Sequence, residues 1–225
     1  APHGGFFGGG GSIPQDRNTE GFLRAYGEIG WLYAVVFRIA LGCSEVKWRL
    51  YETNGNGRTQ LTKHPILKLL NFVNPFQTSN EFIELHTIYQ DLIGECHWIL
   101  NFNALGEPAE IWLPYPHLMS VVPDKQKFIK GYVYGKGPGA TPFDADEVIY
   151  FKYPNPLNQY HGLGPAQAIG IDLDAENFSG QWNRNFFYNS ARPDGVIQFE
   201  HFLSDEQFEK VKKEWGDRYK GVSKA

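Results

Sequence analysis

The chain has 225 residues, 42% of them hydrophobic and 20% charged, which is ordinary for a globular protein and enough for one substantial core with a smaller appendage. Its net charge of −4 argues against a protein that coats nucleic acid, although not against one past which DNA slides. Cys43 and Cys96 lie far apart inside apolar runs, so two buried thiols are expected rather than a disulfide framework. Aromatic residues, at 16%, exceed the usual share and favour large contact surfaces, either to partners or to sugars and bases.

Residues 1–20 begin APHGGFFGGGGS, where glycine dominates without periodicity, and predict a flexible tail. The first residue is not Met, so the start reads as trimmed, processed or a linker and stays outside fold reasoning. From Gly21 onward, Phe22, Tyr26, Ile29, Tyr33, Val36, Ala40 and Cys43 recur at steps of four and three, predicting one amphipathic helix. Its longest apolar run, 31–37, stops at Arg38, short of the ~20 residues a membrane span needs. A buried core helix is expected, and no membrane.

Val46, Trp48 and Leu50 then alternate with Lys47, Arg49 and Tyr51 ahead of Asn54-Gly55-Asn56-Gly57, a hairpin with one wet face. His64-Pro65 opens a short helix through Val73, and Thr78 with Glu81 is a capping-box pair for a helix to about Ile93. Strand-like pieces follow at 95–103, 109–114, 118–122, 128–134 and 148–153, punctuated by Gly106, Pro123-Asp124 and the loop 135–139. Short strands joined by hairpins imply a mainly antiparallel sheet with the earlier helices on one face, an α+β chain.

Gly164 and Pro165 suit the cap and first turn of a helix, and nothing breaks it before Arg192-Pro193-Asp194-Gly195. A helix over 165–191 would be roughly 40 Å long. Phe186, Phe187 and Tyr188 are consecutive, so they point in three directions and one layer cannot cover them. Other chains complete the burial, or the helix is a strut inside an assembly. A short strand at 196–199 and a second capping box, Ser204 with Gln207, follow; Leu203 and Phe208 match a hydrophobic staple. Phe208, Val211, Trp215 and Tyr219 form one apolar stripe, while Lys210, Lys212, Lys213, Arg218 and Lys220 make the rest basic. With so little chain left to cover that stripe, a truncated C-terminus is expected.

Candidate chemistry is sparse. Gly162-Leu163-Gly164 before a helix invites a phosphate reading, but the third position of GxGxxG is Gln167 and no Lys-Ser/Thr pair follows, so a tight turn is favoured. Asp144, Asp146 and Glu147 lack the pattern of a calcium loop and read as a solvated turn. Asp172, Asp174 and Glu176 diverge on a helix and complement its dipole. The seven histidines fall in no zinc spacing, and Cys96 and His97, adjacent in a strand, point to opposite faces. No GxSxG elbow occurs. No catalytic residue, cofactor or metal site is expected.

Taken in order, the pieces resemble the portal proteins of tailed double-stranded-DNA bacteriophages. They are Phe22-Leu23 with the following helix, Val46-Lys47-Trp48-Arg49-Leu50-Tyr51, His64-Pro65-Ile66-Leu67 and Gly94-Glu95-Cys96. Gly106-Glu107-Pro108, the run from Ile111 to Pro116, the run from Glu147 to Phe151, Gly162-Leu163-Gly164-Pro165-Ala166 and the run from Asn189 to Ile197 complete the set.

The resemblance implies an α/β wing over 21–163, a stem helix over 164–191 and the start of an incomplete clip over 192–225, with the rest of the clip and a return helix beyond. It implies a structural subunit, not an enzyme, of a ring that is usually dodecameric, at one capsid vertex of a virion assembled in the bacterial cytoplasm. Double-stranded DNA would pass through without sequence specificity, and partners would be the terminase motor, capsid and scaffolding proteins and a tail adaptor. Trp182, Asn183, Arg184, Asn185, Phe186, Phe187 and Tyr188 then become candidates for the channel or a subunit seam. Lys210, Lys212, Lys213 and Trp215 become candidates for a clip surface facing the motor, and Gly162, Gly164, Pro165, Pro193 and Gly195 are structural turns. The aromatic content and scattered acids leave two alternatives, a carbohydrate-binding or glycoside-processing domain and an unrelated oligomeric scaffold.

Overall fold

A computed structural model describes residues 19–55, 57–188, 198–199 and 202–219, and only the backbone of 216–219. The described chain is α+β, as expected, in two compact units divided between Leu173 and Asp174.

The first unit opens with two helices where one was expected. α1 (Thr19–Glu28) and α2 (Gly30–Ser44) are bent by 99° at Ile29, whose backbone is extended at φ −106° and ψ 106°. Gly27 and Gly30 flank the break, and glycine lowers the cost of leaving the helix there. The four-three pattern survives the bend because Ile29 remains buried with Phe22 and Ala25 on one side and Leu32 and Val36 on the other. The buried-core reading of α2 holds for one stripe only. Leu32, Val36, Ala40 and Ser44, spaced by four, are buried, whereas Trp31, Val35 and Ile39 face outward and Cys43 is exposed. Only Cys96 is therefore a buried thiol, and burial pushes its pKa well up. Among the described residues no single helix is long and apolar enough to cross a membrane.

β1 (Leu50–Asn54) and β2 (Gly57–Leu61) pair antiparallel around the predicted turn, with Gly55 at φ 58°. They form a separate two-stranded ribbon exposed on both faces, not one. α3 (Pro65–Asn71) starts where expected, with His64 Nδ1 accepting the Ile66 N–H at 3.2 Å. α4 (Ser79–Ile93) has the predicted capping box: Glu81 N–H donates to Thr78 Oγ1 at 3.2 Å, and Thr78 N–H donates to Glu81 Oε2 at 2.8 Å.

β3 (Glu95–Phe102) is the middle strand between β4 (Pro108–Trp112) and β8 (Val148–Lys152), while β5 (Met119–Asp124), β6 (Phe128–Tyr134) and β7 (Thr141–Asp144) make a second three-stranded sheet. All pairings are antiparallel. β7 was not anticipated, because Pro142 in a four-residue strand erases the usual alternation. The loop 135–139 is the connection between β6 and β7, and Glu147 Oε2 accepts the Asp144 N–H at 2.8 Å in the expected turn.

α4 links two cores. Leu92 and Ile93 pack with α1 and α2, while Phe82 and Tyr89 pack with Cys96, Trp98 and Ile111. Period-two alternation in β3 then sends His97 to the far side, where it stacks on Tyr150 at 4.4 Å and meets Tyr132 edge-on at 5.5 Å.

The long helix is shorter than expected. α5 (Pro165–Ala168) ends at Ile169, with φ −100° and ψ 20°, before α6 (Gly170–Tyr188) begins. Gly170 at the break explains the interruption, and 19 residues give a continuous helix of about 28 Å. Residues 189–191, Pro193 and Gly195 lie outside the described residues, as does the start of the strand expected over 196–199. α7 (Asp205–Tyr219) carries the second predicted capping box, Gln207 Oε1 accepting the Ser204 N–H at 3.0 Å.

Candidate functional site

Two features stand out: the place where the chain enters α5, and the exposed surface of α6 and α7. The entry is built on three glycines. Gly94, which closes α4 in the left-handed conformation at φ 78°, accepts the Tyr153 N–H at its carbonyl oxygen at 2.8 Å. The segment 162–164 lies flat against it. A Cβ on Gly164 would stand 2.6 Å from the Gly94 nitrogen and 2.8 Å from that of Ile93, and one on Gly94 would stand 2.5 Å from the Leu163 nitrogen. A Cβ on Gly162 would run into the Gly94 carbonyl. Every obstacle is main chain, so no rotamer change relieves it. The close approach leaves no room for a side chain at Gly162 or Gly164, and Gln167 Oε1 accepts the Gly164 N–H at 2.8 Å, closing the first turn that Pro165 begins.

Beside the glycines lies a buried carboxylate. Glu95 is 1% exposed; its Oε2 accepts the Tyr150 hydroxyl at 2.5 Å and the Gly162 N–H at 3.2 Å, and stands 3.3 Å from His161 Nδ1. Bonds made in so buried a place are electrostatically stronger than the same bonds in water. They tie the first residue of β3, the middle of β8 and the chain entering α5 into one joint. Sequence reasoning missed Glu95, Tyr150 and His161 as a group, because residues 55 and 66 apart meet only through sheet pairing. The one available signal was an acid opening an otherwise apolar strand directly after a glycine.

In the second unit, Trp182, Asn183, Arg184, Asn185, Phe186, Phe187 and Tyr188 are all exposed. Trp182 stacks on Phe186 at 5.1 Å with 13° between the rings, and Phe187 meets Phe186 edge-on at 5.8 Å. Phe178, also exposed, was not singled out. Its spacing makes Phe178, Trp182 and Phe186 a single stripe, with Asn183, Arg184 and Asn185 in the intervals. On α7, Lys210, Lys212, Lys213 and Trp215 are exposed, as is Phe208; Lys212 pairs with Glu209 at 3.1 Å. The arrangement offers surface for contact rather than a pocket for chemistry. Among the described residues no three His, Cys, Asp or Glu side chains converge to hold a metal ion.

A chain with an α+β unit and a helix whose far half is exposed all round has the character of an assembly subunit. The family model for phage portal proteins matches residues 31–225, and the chain belongs to the phage portal protein family. It is similar to uncharacterized proteins of Rickettsia bellii, at 27% identity over 90% of this chain and 54% of the relative, and Rickettsia felis, at 26% over 90% and 54%. The chain therefore spans about half the length of the curated relatives it matches. Among solved structures it resembles a chain from the neck of an empty gene transfer agent (GTA) particle at a TM-score of 0.71 and 25% identity, covering 94% of this chain and 58% of the other. A chain from the virion of native GTA matches at 0.70 and 25%, covering 97% and 59%. An HK97-family phage portal protein from Corynebacterium diphtheriae shares the fold at 0.54 and 12%, covering 95% and 64%. The portal family membership leaves the carbohydrate-binding alternative without support.

Proposed function

We propose that this chain is the wing, stem and beginning of the clip of a portal subunit, which closes with identical copies into a ring at one capsid vertex through which double-stranded DNA enters and leaves. The observation that carries the reading is the match to the portal family across residues 31–225. The likeness to chains from the neck of an empty GTA particle and from a GTA virion supports it. In this reading α6 is the stem. Its stripe of Phe178, Trp182 and Phe186 packs on the neighbouring stem, as the heterologous contacts of a ring require, and Asn183, Arg184 and Asn185 line the seam or the channel. The lysines of α7 face the terminase motor, and capsid, scaffolding and tail-adaptor proteins contact other faces. The ring takes no chemical step itself, since energy for packaging is supplied by the motor. A net charge of −4 suits a conduit, because phosphate contacts would add affinity and slow passage.

Electron microscopy of the full-length protein is the test. Closed rings with a central channel are expected, and Arg184→Glu should impair ring closure or DNA packaging. A protein that stays monomeric at micromolar concentration would refute the ring; wild-type rings and packaging with Arg184→Glu would refute the assignment of that segment.

A further inference from the structure

Among the described residues of the first unit, α2 and the chain that follows it expose many large apolar side chains. Trp31, Val35 and Ile39 recur every four residues on one flank of the buried stripe and are 75%, 56% and 47% exposed. On its other flank the exposed rings of Tyr33 and Phe37 stack at 5.5 Å and 9°. Val46, Trp48 and Tyr51, which follow α2 in the chain on the way into β1, are exposed as well. Over its 15 residues α2 carries one charge, Arg38. A helix face meant for water is normally charged, and one meant to lie on a lipid surface is normally flanked by several cations on its polar face. α2 fits neither.

We infer that the exposed apolar side chains on the flanks of α2, with Val46, Trp48 and Tyr51 after it, are covered by a second copy of the chain, as part of the contact between neighbouring subunits. The inference rests on the ring reading above and names a surface for it outside the stem. Size is the first argument. The apolar side chains on α2 leave open on the order of 500 Å², at the upper end of what a monomer tolerates. Val46, Trp48 and Tyr51 bring the total exposed on these apolar side chains to roughly 800 Å², the share of one partner in a stable interface. The ribbon is the second argument. Two strands exposed on both faces are marginal alone, and each has a free edge able to pair with a strand from outside. Stoichiometry is the third: a heterologous contact repeated around a closed ring covers these side chains on every copy at once.

The test uses the full-length protein and the double variant Val35→Lys/Ile39→Lys, whose sites are solvent-facing. By mass photometry the variant should show at least about a tenfold lower ring fraction at a concentration where wild type is fully assembled, with an unchanged circular dichroism spectrum. Should the variant fold poorly, hydrogen exchange on wild type decides: amides of β1 and β2 should exchange at least about tenfold more slowly in the ring than in diluted monomer. Rings formed by the variant at wild-type concentration, or equal exchange in ring and monomer, would overturn this surface while leaving the ring intact. A wild-type protein that never assembles would overturn the ring reading and this contact together. Sedimentation of wild type with phosphatidylglycerol vesicles, abolished in the variant whose rings persist, would overturn it in favour of a lipid surface.

Discussion

Replacing Gly162 by Ala tests the glycine joint most directly. The residue has no positive φ, so a cost there reports the close approach and not backbone strain. The added methyl would meet the Gly94 carbonyl and come 3.2 Å from the Tyr153 nitrogen, neither of which can rotate away. Overpacking of this kind costs about 1–3 kcal/mol. Pushing the segments apart also stretches the 3.2 Å bond from the Gly162 N–H to buried Glu95, and leaving a buried donor and acceptor under-satisfied costs a further ~1–3 kcal/mol. Against this stands ~0.4–1 kcal/mol from a stiffer unfolded chain. The net loss is about 3 kcal/mol, or a fall in melting temperature of roughly 6–12 °C for a chain of this size. Gly139→Ala is the control, since nothing lies within 4 Å of its Cβ and its φ is negative; its stability should stay within about 0.5 kcal/mol of wild type. Thermal unfolding followed by circular dichroism measures both. If the Gly162→Ala melting temperature falls no further than that of the control, the reasoning about main-chain contact is wrong.

Asn74 and His86 carry further tests. Asn74 is 1% exposed; its amide donates to the Ile111 carbonyl at 2.8 Å, and its Oδ1 accepts the N–H groups of Phe76 and Gln77 at 2.9 and 2.8 Å. Asn74→Ala should cost about 2–3 kcal/mol in urea unfolding, because it strands several main-chain groups; a loss below about 1 kcal/mol would mean water replaces them. His86 packs edge-on against Trp98 and Phe151, accepts the Trp98 indole N–H at Nδ1 at 3.1 Å, and burial lowers its pKa from 6.5 to about 4. The unfolded chain takes up this proton near pH 6.5 and the folded chain does not. The contribution is complete above pH 6.5 and is lost as pH falls towards 4, by up to about 3 kcal/mol. His86→Gln should flatten that part of the pH profile of urea stability between 7.5 and 4.5, and an identical slope in the variant would refute the assignment.

What the sequence reveals here divides by range. Contacts within a turn or two are legible: Thr78 with Glu81, Ser204 with Gln207, the Gly55 turn and the whole of β6 (Phe128–Tyr134) occur as expected, because capping and turn chemistry act over three or four residues. Helix continuity is less legible. Ile29 keeps its place in the apolar rhythm while its backbone is extended, so periodicity records burial on both sides of a bend without recording the bend. The same blindness joined α5 to α6 across Ile169. Least legible is the Glu95 joint, whose members are adjacent only because β3 and β8 pair in the register that sets Cys96 opposite Phe151. The aromatic stretch of α6 was visible as a surplus, and Phe178, four residues before Trp182 on the helix already expected over 165–191, extends the same stripe.

The aromatic excess also bears on how stability in this chain should be understood. Many of the large rings are inside: Phe22, Phe82, Tyr89, Trp98 and Tyr132 are buried in three small clusters. Yet Trp31, Trp48, Phe178, Trp182, Phe187 and Phe208 are exposed, and they fall in order along α2, the ribbon, α6 and α7, not at random. Each fully covered ring is worth about 1.5–3 kcal/mol, comparable in sum to the whole stability of a typical domain. In the proposed ring, where neighbouring copies cover these side chains, the subunit would be stabilised by mass action as well as by its own core. Its melting temperature should therefore rise with protein concentration once rings form, and substitutions at Trp31 or Trp182 should act on the assembled state while leaving the dilute monomer almost unchanged. Substitutions at the Gly94, Gly162 and Gly164 joint should do the reverse and weaken the monomer first.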